Sequence, residues 1–290
     1  MTATAPTAVE RPTGVPVRRP DVDLANAPLD RWLVDGDPLF SHLLAALSAV
    51  FPNGEDFFVD SVRHYRGRIE GDDDLKVRVK GFIGQESMHG REHRVLNARL
   101  AELGYPTVML DRDLLTAARL LQRLPDNLQL AVTVVSEHFT TVLAHAILSD
   151  EQTRATLFAD PATQVLITWH ALEELEHKDV AFDLFEAVDG RYAVRLAGLA
   201  LAAAAFGTVV VRGYVHGVVA DRRHVTPRAV LRNVRNLRRQ QILSLRSGRR
   251  LLTILRPGAH PRDLDTDALV HEWRERLAPS VTSAASRASI

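Results

Sequence analysis

The sequence predicts an all-α protein, a helical bundle built around two metal ions, on three observations. Glycine and proline recur at intervals that suit long helices, and the runs between them carry apolar residues at helical spacing. Strand-like alternation is essentially absent. Two of the helical runs each contain Glu-x-x-His: Glu86-Ser87-Met88-His89 and Glu174-Leu175-Glu176-His177. Residues three apart share a helix face, so each motif turns one carboxylate and one imidazole toward the same point. In bundles that bind a pair of metal ions, two such helices are completed by two more that supply one Glu each.

The elements follow in order. Residues 1–25 run Ala/Thr/Pro/Arg without an apolar stretch and read as a disordered leader, with no secretory signal. Asp37-Pro38 opens a helix from Leu39 to Val50, which Phe51-Pro52-Asn53-Gly54 ends. A helix from about Gly54 to Arg66 carries Phe58, Val62 and Tyr65 on the side of Glu55. Asp72 to Leu103 is a long helix bearing the first motif, stopped by Gly104-Tyr105-Pro106. Asp111 to Leu124 is a shorter one. Asn127 to Leu148 comes next, then Glu151 to Ala159, then Pro161 to Val188, closed by Asp189-Gly190. Residues 26–190 form the predicted bundle, 191–279 a helical extension and 280–290 a disordered tail.

Each candidate ligand competes with a plainer account. Glu86, His89 and His93 fall at i, i+3 and i+7, a single stripe that a solvated polar face would also show. Glu137 lies in an almost uncharged run, Leu130 to Phe139, where a carboxylate is costly unless it pairs with an arginine or binds a metal. His138 is about 100° away and belongs outside the site. His145, two turns on, is a further candidate deeper in the bundle. His170, Glu174 and His177 form another stripe. Glu173 also neighbours His177, but the repeated i+3 spacing favours Glu174. Imidazoles on metals donate their other N–H to nearby acceptors, so His93, His170 and Glu173 are predicted as supporting or alternative ligands. Glu55 follows Pro52 closely, in a first turn where the helix dipole favours an acid whatever its role.

These segments resemble a known family. Phe51-Pro52-Asn53-Gly54-Glu55-Asp56-Phe57-Phe58, Gln85-Glu86-Ser87-Met88-His89, Glu137-His138 and Trp169-His170-x-x-Glu173-Glu174-x-Glu176-His177-Lys178-x-Val180-Ala181-Phe182-Asp183 are similar to a bacterial family of predicted metal-dependent hydrolases. The likeness runs from about Asp37 into the C-terminal region, where Arg256-Pro257-Gly258-Ala259-His260-Pro261 also fits. The ligand layout itself resembles that of ferritin-like di-iron oxidases and oxygenases. Carried over position by position, it makes Glu55, Glu86, His89, Glu137, Glu174 and His177 the metal ligands, with Glu86 and Glu174 able to bridge. Spacing agrees with a one-crossover, ferritin-like four-helix core. Glu55 to Glu86 is 31 residues, Glu137 to Glu174 is 37, and the 51 between Glu86 and Glu137 leave room for a long connection.

Composition narrows the chemistry. With no cysteine, any metal rests on carboxylate and imidazole, ligands that suit iron, manganese or zinc. A net charge of zero excludes a global attraction to nucleic acid. Sixteen residues from Leu196 to Val211 carry no charge, a run short of a membrane span. A helix buried against the bundle is the expectation, and membrane association the alternative. From Arg222 to Arg256 there are eleven arginines and no acid, interleaved with apolar residues at helical spacing. That pattern fits a membrane surface, and equally a solvated face.

The expected function is O₂-dependent oxidation of an apolar or lipid-like small molecule at a two-metal centre, with iron the expected metal and Glu86, Glu137 and Glu174 at the reacting atoms. Hydrolysis with a metal-activated water is the alternative, and a non-catalytic helical protein at a membrane surface the third reading. The expected location is cytoplasmic or membrane-associated, and a homodimer is left open.

Overall fold

The structure, a computed structural model, describes residues 14–34, 36–158 and 160–283. It is all-α apart from a short antiparallel ladder that pairs β1 (Arg18–Pro20) with β2 (Val281–Ser283). The helices are α1 (Pro38–Arg63), α2 (Asp73–Glu102), α3 (Thr107–Leu121), α4 (Asp126–Leu148), α5 (Glu151–Leu157), α6 (Pro161–His177) and α7 (Val180–Val188). Then come α8 (Tyr192–Ala202), α9 (Thr208–Ala220), α10 (Pro227–Arg239), α11 (Leu245–Leu251) and α12 (Asp267–Leu277).

Helices α1, α2, α4 and α6 surround a polar middle closed at either end by apolar residues. On α2, Leu75, Val79 and Phe82 belong to one apolar cluster, and Leu96 and Leu100 to the other. Glu86, His89 and His93 lie between them. On α4 the order is Leu130 to Val135, Glu137, then Ala144 to Leu148. Helices α1 and α6 run the opposite way between the same clusters. The parallel pair α2 and α4 is joined by the long connection through α3, which packs on α1. Each fully buried Phe or Leu contributes about 1.5–3 kcal/mol. These flanking clusters offset the cost of holding a band of carboxylates away from water.

Five boundaries differ from expectation. Pro52 does not end a helix: α1 runs through it for 26 residues. Proline removes one N–H and orphans the carbonyl four residues back. That carbonyl, Ser48 O, accepts instead from Asn97 Nδ2 of α2 at 3.0 Å. Glu55 therefore sits mid-helix, and the helix dipole does not account for it. The expected helix from Pro161 to Val188 is interrupted after His177, and α7 restarts at Val180. The helix expected at Asp111 begins earlier, at Thr107. The leader expectation fails from residue 14 onward, where Val15 and Leu24 are buried and β1 pairs with β2. Residues 1–13 lie outside the described part. The same ladder holds Val281–Ser283, so the tail expectation is corrected there, and 284–290 lie outside.

The extension also departs from expectation. Helices α8 and α9 are joined by a π-helical turn, Ala203–Gly207, into one helix from Tyr192 to Ala220. By length and composition alone, this helix and α4 could each cross a membrane. Helix α4 is 78% buried in the bundle over its apolar stretch, whereas Tyr192–Ala220 is only 22% buried over its own. The latter is thus not a core helix. One face lies on α1, α3 and α4, and small residues set its approach. A Cβ on Gly198 would come 2.6 Å from the backbone of Ala131, and one on Gly213 2.4 Å from Leu110. The other face is open.

Candidate metal centre

Six predicted residues converge at the middle of the bundle. Glu55, Glu86, His89, Glu137, Glu174 and His177 are all buried. His177 Nε2 lies 3.1 Å from Glu137 Oε2 and 3.2 Å from Glu86 Oε1. His89 Nδ1 lies 3.4 Å from Glu86 Oε1 and 3.8 Å from Glu174 Oε1. Donors about 2.1 Å from one ion in octahedral geometry stand roughly 3 Å apart, so these separations suit ligands around a cation. Among the described residues no arginine reaches Glu137, and the ion-pair account of its burial falls away.

His170 joins the cluster as a direct neighbour of the carboxylates. Its Nε2 lies 2.8 Å from Glu174 Oε1 and 3.6 Å from Glu55 Oε1. Three groupings of donor atoms could each hold an ion: Glu55/His89/His170, Glu86/Glu137/His177 and Glu86/His89/Glu174. The first two share no residue, and the third joins them.

The hydrogen bonds behind the imidazoles fix where their protons sit. Gln85 Nε2 donates to Pro16 O and Glu176, so Gln85 Oε1 can only accept. It accepts from His177 Nδ1 at 2.8 Å, which leaves His177 Nε2 as a bare lone pair facing the carboxylates. Asn97 Nδ2 donates to Ser48 O, and Ser48 Oγ donates to Asn97 Oδ1. Ser48 Oγ therefore accepts from His93 Nδ1 at 3.0 Å. Burial pushes His93 well below the ordinary histidine range, so it is neutral and its Nε2 accepts from His170 Nδ1 at 2.8 Å. His170 Nε2 is then also a lone pair, aimed at Glu174. A lone pair pointed at a buried carboxylate needs a proton or a metal ion between them.

Unsatisfied atoms tell the same story. Eight of the fourteen buried side-chain polar atoms without a hydrogen bond, among the described residues, belong to Glu55, Glu86, His89, Glu137 and His177. Burial pushes the Glu55 and Glu86 carboxyls well above the carboxylate range, and neighbouring carboxylates push them further. Burial and Glu174 take Glu137 up to about 7. Burial alone would raise Glu174, but the neighbouring His177 and His170 hold it well below. For His177 burial acts downward, and Glu137 and Glu174 overcome it to raise the imidazole well above its usual value. The donor set fits divalent metal: anionic, preassembled and lacking enough protons or donors of its own.

Two supporting arginines come from segments outside the predicted bundle, one from the expected leader and one from the C-terminal extension. His89 Nε2 faces Glu173 Oε2 at 3.1 Å, and Arg18 of β1 reaches Glu173 at 3.3 Å and Glu176 at 2.7 Å. Arg274 of α12 also holds Glu176. Burial and Glu176 push Glu173 up to about 8 against the pull of Arg18. Nothing in the composition of the leader points to Arg18. Gln85 carried a weak signal, as a polar neighbour one residue before Glu86. Thr140, which donates to Glu174, was legible only as the next turn after Glu137. His138 and His145 are not at the centre: His138 bonds the carbonyls of Arg250 and Leu251, and His145 meets Arg250. Replacing Arg18 with Ala is expected to weaken metal affinity about 10–100-fold, because it frees Glu173 and so the ring of His89. Competition against a chelator reads this, and unchanged affinity would detach β1 from the centre.

Searches of curated proteins and of solved structures found no match to the chain. A family model described as a predicted metal-dependent hydrolase matches residues 16–265, from β1 and its Arg18 through all seven converging side chains to the 3₁₀ turn before α12. The chain belongs to this family of predicted metal-dependent hydrolases.

Proposed function

We propose that the protein is a dinuclear metal enzyme that hydrolyses an apolar small molecule. The carrying observation is the convergence of imidazole lone pairs and unpartnered carboxylates on one point. Glu55, His89 and His170 would hold one ion and Glu86, Glu137 and His177 the other, with Glu174 within reach of His89, His170 and His177 as a further ligand. Two ions held there would lower the pKa of a water and polarise a carbonyl oxygen. Glu137 would hold its ion through one oxygen and keep the second, which has no hydrogen-bond partner, to take a proton from that water and return it to a leaving group. The chain Asn97, Ser48, His93, His170 fixes one imidazole, and Gln85 fixes another.

The substrate side supports an apolar ligand. A cavity of about 350 Å³ reaches Glu55 and is lined by Phe51, Phe58, Val135, Phe139 and Phe206. Its walls are almost wholly apolar and offer the substrate little to hydrogen-bond.

A second reading, O₂-dependent oxidation, keeps the centre and the substrate class. It draws on that same lack of polar partners, which suits a hydrocarbon better than an ester, and on the grouping Glu55/His89/His170. Two imidazoles and one carboxylate with open positions serve both non-haem iron oxygenases and zinc hydrolases. The family description favours hydrolysis.

Metal analysis of protein purified without a histidine tag, with optical spectra, ester hydrolysis and O₂ uptake, separates the readings. Zinc or manganese in a pair, with acyl-ester cleavage and no O₂ uptake, is the expected result. Paired iron with an oxo-bridged band that bleaches on reduction, and substrate-dependent O₂ uptake, would replace hydrolysis with oxidation. Metal-free protein that takes up none would overturn the centre.

A further inference from the structure

The side of the molecule around the groove between α1 and α4 is apolar and basic together. Two cavities meet in this groove at Leu47, Phe51 and Thr140. One runs past Leu44 and Leu143 to Ile242, in the connection between α10 and α11, and touches His170 and Glu174. The other runs from Glu55 to Ala203 and Val211 on the outer helix. The outer helix and the arginine-bearing segment thus border the same opening.

Both borders expose large apolar side chains that a protein in water would bury. Leu245 is 85% exposed, Leu231 71%, and Leu252 and Val211 each 61%. On the outer helix Thr208, Val211, Val215 and Val219 follow one another at three or four residues, one open stripe. On α10, Val230, Val234 and Leu237 make a second exposed stripe. Beside it, among the described residues, Arg228, Arg235, Arg238, Arg239, Arg246 and Arg249 are exposed and have no carboxylate within ion-pair distance.

Charge decides what covers this face. A second copy paired about a twofold axis would set an arginine strip without acids against its own image. An anionic lipid surface complements it, and the leucines and valines fit the headgroup boundary. The outer helix has one face packed on α1, α3 and α4, so its open face is the one presented to such a surface.

We propose that this face docks on an anionic bilayer, and that the α1–α4 groove admits an acyl chain from it to the carboxylate cluster. The second half rests on the metal-enzyme reading above, whereas docking does not.

Sedimentation of the full chain with vesicles tests the docking. Binding is expected to phosphatidylcholine vesicles that contain phosphatidylglycerol, weakening as salt rises, and not to phosphatidylcholine alone. The variant Arg235→Glu/Arg238→Glu/Arg239→Glu should lose roughly a hundredfold in affinity or more. Leu231→Ser/Leu245→Ser should weaken binding while keeping its salt dependence. Equal binding to both vesicles, or to neither, overturns docking. So does a dimer in solution that the leucine variant splits, since a second copy would then own the face. For the groove, a doxyl-labelled fatty acid should be immobilised by the protein, and Leu47→Trp should release it with vesicle binding and metal content unchanged. Label still immobilised in Leu47→Trp overturns the groove. Protein that takes up no metal yet binds vesicles would overturn the enzyme reading and leave docking standing.

Discussion

The double substitution Glu86→Ala/Glu174→Ala is expected to abolish metal binding and to lower turnover by more than about a thousandfold. Glu86 belongs to two of the three donor groupings, and Glu174 is the carboxylate within reach of His89, His170 and His177. Removing both strips the centre of the groups that join its halves. The fold should survive, because the apolar clusters at both ends of the bundle do not involve either side chain. On the metal-free fold the two substitutions act in opposite senses, since Glu86→Ala removes a buried carboxyl without a hydrogen bond, whereas Glu174→Ala takes away the partner that Thr140 and His170 share. Metal analysis and thermal melting read the two effects. A double variant with its full metal content would show that the ligands are elsewhere.

Much of this centre was legible because its ligands obey local rules. Glu86 with His89, and Glu174 with His177, are three apart on helices, and Glu137 is a lone acid in an apolar run. What was not legible depends on distant partners. Pro52 reads as a helix end unless one knows that Asn97 takes up the carbonyl it orphans. Once it does, Glu55 moves from a first turn to mid-helix and its burial calls for a cation. His170 shares a stripe with Glu174, but only the relay through His93 and Ser48 shows which of its nitrogens is free. Arg18 lies in a segment whose composition reads as disorder, and the buried pair Glu173 and Glu176 holds it in place. The outer helix is apolar on every side, so periodicity could not say which face packs. Its glycines could have, since Gly198, Gly213 and Gly217 mark the face against the bundle.

Metal-free protein is expected to lose stability as pH rises from about 6.5 to 8, and metal-loaded protein is not. The sign follows from the direction of each shift. Glu137 at about 7 and Glu173 at about 8, with Glu55 and Glu86 raised further, stay protonated in the fold after their unfolded counterparts ionise. The fold then binds more protons than the unfolded chain, so stability present below the unfolded carboxyl value drains away as pH climbs through the folded values. His177, also raised, acts in the same direction above its unfolded value. His89 and His93 are lowered by burial and act oppositely, but only below about 6.5, where unfolded histidines gain protons. Glu174, held low, is ionised in both states across the window. Glu137 alone accounts for a cost on the order of 3 kcal/mol, largely incurred by pH 7. Metal replaces these protons and binds more tightly as they leave, so the rise in melting temperature on adding metal should be larger at pH 8 than at 6.5. Thermal melts with and without metal across this range measure both. A metal-free melting temperature that is flat or rising would mean that the carboxylates are already ionised and paired, and the case for a cation at their centre would fail.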